Sequence, residues 1–309
     1  MSLAALYEVP APAKLNLFLH VVGRRPDGYH LLQSVFVLID WCDTLHFERR
    51  YDGLLQRHDL GPALPPDDLS LRAARALQQA SGCRLGADLS VLKSVPWGAG
   101  LGGGSSDAAS TLLALNRLWG LNWPRARLQQ IALPLGADVP FFVGGHNAFV
   151  EGIGEQLHAL PSGALPLQDY AVVKPAPAVA TAAIFGSHHL ARNTEAAIVM
   201  SFLADAGLKQ KLSAGFGQND LQGPAQLSCP DVLAVAKWLE ARFGNSRMSG
   251  SGSAVFSRVD RRCDVRNAKN LGKTGSPAPW AEGIPPMPAE WTGRMCRSLG
   301  HHPLVGWAD

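Results

Sequence analysis

The spacing of apolar positions changes along this 309-residue chain, and it predicts strands that alternate with helices. Apolar and polar side chains alternate over residues 14–21, as they do in a half-buried β-strand. One face of that strand carries leucine and valine. The other face carries polar and aromatic groups, namely Lys14, Asn16, Phe18 and His20. Further short apolar or β-prone runs predict strands at residues 31–38, 45–48, 89–95, 149–155, 171–174 and 254–256.

Apolar residues spaced three or four apart predict the helices, which fall at residues 69–80, 108–119, 128–133 and 232–239. Asp68 is the predicted N-cap of the first helix, and Gly82 is part of its stop signal. Ser105 or Ser106 is predicted to cap the second helix, with Asp107 in its first turn.

Two segments lack such a period and are predicted to connect elements. Residues 52–67 read as a loop. Proline and glycine gather near residues 160–163, which predicts a boundary between an N-terminal domain, 1–160, and a C-terminal domain, 161–309.

The composition of the chain narrows the classes of protein to which it can belong. Hydrophobic residues make up 47% of the chain, charged residues make up 17%, and the net charge is only +3. This balance fits an anionic small-molecule substrate better than a nucleic acid, which binds a clustered basic face. No apolar run is long enough to span a membrane, and the N-terminus lacks a signal-peptide pattern. The five scattered cysteines show neither zinc spacing nor a disulfide framework, so we expect a cytoplasmic location.

A glycine-rich stretch lies between the strand predicted at residues 89–95 and the helix that follows. Five glycines fall within the seven residues 98–104. Glycine lets backbone N–H groups close around an anion, and the start of the helix would add free N–H groups and a positive dipole end. The stretch therefore predicts a phosphate-binding loop. A loop that only turns the chain is the alternative.

Three other phosphate-binding loops are excluded. The dinucleotide fingerprint needs an acidic residue about 20 positions later, but no acidic residue stands between Asp107 and Asp138. A Walker loop ends in Gly-Lys-Ser or Gly-Lys-Thr, and the only such tripeptide, around Lys273, has Asn267 where the first glycine belongs. The His-Arg-Asp and Asp-Phe-Gly motifs of protein kinases are absent from the sequence.

Several other side chains suit a nucleotide enzyme, and each has a simpler alternative. Lys14 and Asn16 share a strand face and can reach a bound anion, unless Lys14 merely faces solvent on an edge strand. Tyr29 and His30 follow a turn and can stack on a base and bond to its edge, unless Tyr29 packs in the core. Asp138 lies among apolar residues and can accept a hydroxyl proton beside a lysine, unless it caps a helix that starts at the next residue.

These motifs resemble those of the GHMP kinases, the family of galactokinase, homoserine kinase and mevalonate kinase. The ATP loop of that family is similar to residues 96–109, Pro-Trp-Gly-Ala-Gly-Leu-Gly-Gly-Gly-Ser-Ser-Asp-Ala-Ala, and its third motif is similar to residues 247–256. Three further segments, residues 13–17, 23–30 and 135–142, resemble the members that phosphorylate 4-diphosphocytidyl-2-C-methyl-D-erythritol in the non-mevalonate isoprenoid pathway. The resemblance covers residues 8–257 and 291–307.

The resemblance implies an α+β fold with two domains, one like ribosomal protein S5 and one like ferredoxin. It implies transfer of the γ-phosphoryl group of ATP to the 2-hydroxyl group of the substrate, a cytidine diphosphate derivative. ATP and Mg²⁺ are the implied cofactors, and Ser105 or Ser106 can reach the metal, although no ligand set is assigned. No nucleic acid, membrane or obligate protein partner is expected.

The resemblance also implies roles for individual residues. Lys14 and Asp138 match the catalytic pair. The implied ATP-binding residues form the glycine-rich loop: Pro96, Trp97, Gly98, Ala99, Gly100, Leu101, Gly102, Gly103, Gly104, Ser105 and Ser106. The implied substrate-binding residues are Asn16, Tyr29, His30, Thr181, Phe185, Gly250 and Ser251. For Thr181 and Phe185, an ordinary helix start and a core phenylalanine are the alternatives.

The C-terminal part departs from the family pattern. Residues 260–288 are rich in proline and glycine and show no helical or strand period, where the family fold has a helix and a further strand. A compensated frameshift or an unusual insertion is our hypothesis for this segment. Two rival functions remain: another small-molecule GHMP kinase of the homoserine kinase type, and a non-catalytic nucleotide-binding homologue. Tyr29 and His30 argue against the first rival, because homoserine offers no base to hold.

Overall fold

The computed structural model describes residues 3–161, 163–197, 208–213, 215–259 and 284–308, and it contains two β-sheets. The first sheet is built on two long antiparallel strands, β1 (Ala5–Arg24) and β2 (His30–Arg50). The shorter strands β3 (Leu55–Asp59), β4 (Gly86–Leu92), β5 (Ala148–Glu151) and β6 (Gln156–Ala159) complete it. The order β3-β4-β2-β5-β6 arises because β4 and β5 pair with different halves of β2, while β1 pairs along the other edge of β2.

Two sequence predictions about this sheet were wrong. The strands predicted at residues 31–38 and 45–48 are parts of the single strand β2, because pairing with β1 continues across the residues between them. Residues 52–67 are not all loop, since they contain β3, which pairs in parallel with β4. The sequence of β3, Leu-Gln-Arg-His-Asp, is mostly polar, so an edge strand held by backbone pairing left no apolar alternation to detect.

The helices α1 (Leu69–Ser81) and α2 (Gly103–Leu118) pack on strands of the first sheet, and α3 (Arg125–Ala132) and α4 (Val139–Gly144) pack against these helices and each other. Asp68 caps α1 as predicted, since its carboxylate accepts the N–H groups of Ser70 and Leu71. Gly82 ends α1 in the left-handed conformation. Side chains all around α2 are buried, so this helix lies inside the N-terminal core.

The second sheet has the order β10-β7-β9-β8, and all of its neighbouring strands are antiparallel. Its strands are β7 (Asp169–Lys174), β8 (Arg247–Met248), β9 (Val255–Val259) and β10 (Thr292–Arg297). The helices of this part are α5 (Thr181–Gly186), α6 (Leu208–Ser213), α7 (Gln222–Ser228) and α8 (Pro230–Phe243). Val232, Val235 and Leu239 of α8 share one apolar core with Val173 and Val255 of the sheet.

The strand β1 is buried on both faces rather than half-buried as predicted. Lys14 is 3% exposed and Asn16 is 1% exposed, so the polar face is as enclosed as the leucine face. The alternation was read correctly, but elements from the second half of the chain cover the polar side. Ser249 Oγ lies 3.4 Å from Asn16 Oδ1, and the amide of Gln218 donates to His20 Nε2 at 3.2 Å. The leucine face packs in a core cluster with Val172 and Phe256 of the second sheet.

The C-terminal residues return to the first sheet. After β10, the amide of Leu299 donates to Leu38 of β2 at 2.8 Å, and that of His302 donates to Gly145 at 2.8 Å. Leu304 is 3% exposed in the core that contains α2. A strand therefore follows the irregular segment, namely β10, which pairs with β7. Residues 260–283 of the irregular segment lie outside the described residues. The chain leaves the first sheet between β6 and β7, and the division at residues 160–161 stays a prediction.

Candidate active site

The glycine-rich loop connects β4 to α2. The helix begins at Gly103, and its N-cap is Gly102, which has no side chain to cap with. The predicted serine cap was therefore wrong, because the helix starts earlier than its apolar period indicates. Ser105 and Ser106 lie in the first turn and Asp107 lies beyond it, so the free N–H groups of the helix belong to the loop itself.

Two glycines of the loop are required by close approach. Gly100 has a φ of +72°, and a Cβ atom there would lie 2.1 Å from the carbonyl oxygen of Ser249. Gly102 has a φ of +74°, and a Cβ atom there would lie 2.9 Å from the ring of Phe142. Left-handed backbone and the absence of a side chain are both needed at these positions.

A second loop, residues 249–253, lies against the first. The amide of Ala254 donates to the carbonyl oxygen of Ala99 at 3.0 Å, and the Ser249 hydroxyl donates to that of Gly100 at 3.0 Å. The side-chain amide of Asn219 donates to the carbonyl oxygens of Met248 and Gly250 at 2.7 and 2.8 Å. The Gly-Ser alternation is thus a fixed loop bonded to the phosphate-binding loop, and not a free linker.

Lys14 and Asp138 lie close together beside these two loops. Lys14 Nζ lies 3.7 Å from Asp138 Oδ2 and donates to Asn16 Oδ1 at 2.5 Å. The Lys14 backbone amide donates to Leu101 of the glycine-rich loop at 2.9 Å, which ties β1 to that loop. Asp138 precedes α4 but makes no side-chain capping bond. Its carboxylate is 30% exposed and is therefore open to a ligand.

Burial sets the protonation behaviour of Lys14. Desolvation lowers the pKa of the ammonium group, and the neighbouring Asp138 carboxylate partly offsets this by favouring the charged form. The Lys14 ammonium also lies 4.7 Å from the centre of the Phe36 ring. The Lys14 ammonium is thus shielded from water, so its charge acts strongly on the adjacent Asp138 carboxylate.

Two cavities meet at this point. One, of about 740 Å³, is lined by the glycine-rich loop from Pro96 to Ser105 together with Asp68 and Leu69. The other, of about 330 Å³, is lined by both members of the lysine–aspartate pair and by five of the predicted substrate residues, namely Asn16, Thr181, Phe185, Gly250 and Ser251. Gly100, Gly102 and Ser105 line both cavities. Ser106, by contrast, is fully buried and lines neither of them.

Tyr29 and His30, the predicted base-binding residues, are not among the residues that line the smaller cavity, and His30 adjoins it through Phe185, which does line it. The rings of His30 and Phe185 stack with centroids 5.1 Å apart and an interplanar angle of 27°. Tyr29 follows a tight turn and is 60% exposed, so it does not pack in the core. The Thr181 and Ser251 hydroxyls lie 2.7 Å apart, which joins α5 to the second loop. Arg192, which the sequence did not suggest, donates from Nε to His30 Nε2 at 3.2 Å.

A buried ion cluster under the glycine-rich loop was also missed. Lys93 Nζ donates to the carboxylates of both Asp43 and Asp107. Asp43 also accepts the amides of Ser94 and Val95 at 2.6 and 2.7 Å, so it fixes the chain where it enters the loop. The available signal was a set of charged residues flanking apolar runs, but nothing local linked Asp43 to Asp107.

Burial dominates the electrostatics of this cluster. It raises the pKa of Asp107 to about 8, with the Asp43 carboxylate adding to the rise and the Lys93 ammonium opposing it. Desolvation acts to lower the pKa of Lys93, but the two carboxylates outweigh it and the pKa is raised. The lysine therefore stays charged, and the two acids compete for one cation.

No group of three or more histidine, cysteine or acidic side chains in the described part of the chain is arranged to hold a metal ion. Within the same residues, no helix has the length and apolar character that crossing a bilayer requires.

Comparisons with known proteins agree on one family. Residues 68–146 match the model of the GHMP kinases N terminal domain. The chain is 61% identical over 308 residues to the 4-diphosphocytidyl-2-C-methyl-D-erythritol kinase of Methylibium petroleiphilum, and the match covers 100% of both chains. It is 52% identical to the enzyme of the same name from Verminephrobacter eiseniae, over 98% of each chain.

Solved structures give the same result. The crystal structure of 4-(cytidine 5'-diphospho)-2C-methyl-D-erythritol kinase has a TM-score of 0.71 and 33% identity, covering 94% of this chain and 98% of that one. Homoserine kinase from Cytophaga hutchinsonii has a TM-score of 0.64 over 97% of this chain and 95% of that one, but at 16% identity it shares the fold alone. The predicted α+β GHMP kinase fold is confirmed. The chain belongs to the GHMP kinases and, within them, to the 4-diphosphocytidyl-2-C-methyl-D-erythritol kinase family, whose kinase activity implies the use of ATP.

Proposed function

We propose that this enzyme transfers the γ-phosphoryl group of ATP to the 2-hydroxyl group of 4-diphosphocytidyl-2-C-methyl-D-erythritol. The observation that carries the proposal is the position of the Lys14–Asp138 pair, 3.7 Å apart on the smaller cavity where it meets the glycine-rich loop. The family membership supplies the substrate class. The two-domain division and the cytoplasmic location remain predictions.

The two cavities bind different substrates. The larger cavity holds ATP, with its phosphates against the loop amides and the start of α2. The smaller cavity holds the acceptor, so that its hydroxyl group lies at the shared wall near Gly100 and Gly102. Phosphoryl transfer gains most of its rate from positioning and from stabilising charge on the transferred group, and this arrangement offers both.

Asp138 acts on the acceptor hydroxyl. Its partly exposed carboxylate orients that hydroxyl and takes its proton as the oxygen attacks the γ-phosphorus, while the bond from that phosphorus to the β-phosphate oxygen breaks and ADP leaves. The buried Lys14 ammonium lies 3.7 Å from that carboxylate and steadies the oxygen as negative charge develops on it. Asn16 holds Lys14 in place, and its own amide donates to the Ser34 hydroxyl at 2.9 Å.

Mg²⁺ fits this site with few protein ligands. Ser105 and Asp138 line the same cavity and offer one hydroxyl and one carboxylate oxygen, and Mg²⁺ usually binds one or two protein oxygens together with phosphates and water. The buried Ser106 hydroxyl does not reach that space. When bound, the ion would supply positive charge to the phosphate oxygens.

Purified enzyme should release ADP from Mg-ATP only when the diphosphocytidyl alcohol is present. Asp138→Asn should lower this rate by about 10²-fold or more, because it removes the proton acceptor and keeps the shape. Asp231→Asn, at an exposed position in the first turn of α8, is the matched control and should retain the rate. Turnover of homoserine in place of the diphosphocytidyl alcohol, or ATP binding without turnover, would overturn the proposal.

A further inference from the structure

The guanidinium group of Arg192 is hydrogen-bonded to His30, the histidine that is predicted to hold the base. Its Nε lies 3.2 Å from His30 Nε2. The other guanidinium nitrogens donate to backbone carbonyl oxygens, at 2.8 Å to Ser187 and at 3.2 Å to Phe185 and Leu190. The loop after α5 therefore holds the guanidinium group rigidly against the imidazole edge.

This contact decides where the histidine carries its proton. A guanidinium group has only donors, so His30 Nε2 must be the acceptor. A neutral imidazole whose Nε2 accepts carries its proton on Nδ1. Burial and the positive charges of Arg192 and Arg24 lower the pKa of His30, which keeps the ring neutral. Among the described residues, Nδ1 makes no hydrogen bond, so its N–H group is open to a ligand.

We propose that Arg192 is a positioning residue that fixes His30 as an Nδ1–H donor, and that this donor selects cytosine over uracil. The inference rests on the proposed function, since it concerns the pyrimidine of that substrate. Cytosine has an acceptor at ring nitrogen N3, whereas uracil has an N–H donor there. A fixed donor at His30 pairs with the first and opposes the second.

The stacking geometry supports this arrangement. The His30 ring lies nearly parallel to that of Phe185, and Phe185 lines the smaller cavity. Arg192 also bonds to the backbone of Phe185, so one side chain sets the position of both rings. The direction of the hydrogen bond that His30 offers to the base is thus set by Arg192, a residue that does not line the cavity.

The test compares the cytidine substrate with its diphosphouridyl analogue in three proteins. Wild type should favour the cytidine substrate in kcat/KM by about tenfold or more. Arg192→Met removes the donor to Nε2, so that His30 can carry its proton there and present Nδ1 as an acceptor, and it should lower the selectivity ratio about tenfold. Arg192→Lys still only donates, so it should keep the ratio within about threefold even if KM rises for both substrates.

A merely structural role for Arg192 would give a different result. Both variants would then lose kcat/KM equally for the two substrates, with no change in the ratio, and the inference would fall. ¹⁵N NMR of His30 in the wild-type enzyme is a separate readout, which should show the proton on Nδ1. A proton on Nε2 would overturn the inference whether or not the variants fold. If wild type turns over neither substrate, the proposed function fails, while the NMR result still decides the tautomer.

Discussion

At the residue scale, the least expected feature is a lysine shared by two buried carboxylates. Asp43 is fully buried and Asp107 is 2% exposed, and both are bonded to Lys93. One cation cannot compensate two buried anions fully, so one acid must be protonated more readily than usual. Asp43 also accepts two backbone amides, whereas Asp107 Oδ1 is buried without a hydrogen-bond partner among the described residues, and burial raises the pKa of Asp107.

The raised pKa of Asp107 predicts a pH dependence of stability. Between the ordinary aspartate value of 3.8 and about 8, the folded protein keeps a proton that the unfolded chain releases. The contribution of Asp107 is therefore fully present at low pH and is lost as the pH rises through about 8. Asp107→Asn removes this dependence. The free energy of unfolding should fall more steeply from about pH 5 to about pH 8 in wild type than in the variant, as measured by chemical denaturation.

The control for this prediction is Asp67→Asn. Asp67 is exposed and pairs with Arg75 at the surface. The free energy of unfolding of the Asp67→Asn variant should change with pH in parallel with that of wild type. If the profile of Asp107→Asn is parallel as well, the assignment of the raised pKa to Asp107 is wrong.

At the element scale, the two glycine-rich loops act as one unit. The second loop is closed by its own backbone, since the amide of Ser249 donates to Ala254 at 2.9 Å, and further bonds from residues 249–254 to residues 98–100 hold the two loops together. This contact explains why both loops carry glycine and serine, since backbones touch only where side chains are small or absent.

Gly100→Ala tests the contact between the loops. The added Cβ atom would overlap the Ser249 carbonyl oxygen and would sit on left-handed backbone. We expect a loss of about 2–4 kcal/mol in the free energy of unfolding, and a higher KM for ATP because the loop is displaced. Thermal unfolding and steady-state kinetics measure both effects.

The matched control for this change is Gly223→Ala. Gly223 lies in α7 with nothing within 4 Å of its Cβ position, so alanine should leave stability unchanged or raise it slightly. Equal stability of the Gly100 variant and wild type would mean that the loops separate freely.

At the scale of the whole molecule, the C-terminal residues pack against the N-terminal part of the chain. The C-terminal residues return to the first sheet, where Arg125 donates to the carbonyl oxygen of Ala308 at 2.9 Å. Leu304 packs in the same core as α2, the helix that presents the phosphate-binding loop. The end of the chain therefore supports the element that carries the site.

Leu304→Ala should lower the free energy of unfolding by about 2–4 kcal/mol, because it leaves a cavity in this core. Leu233→Ala makes the same change on the surface of α8, where the side chain is 37% exposed, and should cost less than about 1 kcal/mol. Chemical denaturation compares the two. Similar small losses would show that the C-terminal residues contribute little to the N-terminal core.

Much of this protein follows from the sequence, because the chemistry is local. The glycine-rich loop, the N-cap at Asp68 and the helical periods each depend on residues within a few positions of one another. The family motifs are equally local, so the fold and the kinase activity were predicted correctly. The strand β3 and the continuity of β2 were not, since they depend on backbone pairing with distant strands.

Only the tertiary structure decided how these parts meet. It brings Lys14 to Asp138, encloses both faces of β1, joins Lys93 to two distant carboxylates, and sets Arg192 against His30. Each contact joins side chains that are far apart in sequence, and burial gives it strength by removing water. The sequence alone determined which groups the candidate site contains, whereas packing determined their neighbours and how far each group is shielded from water.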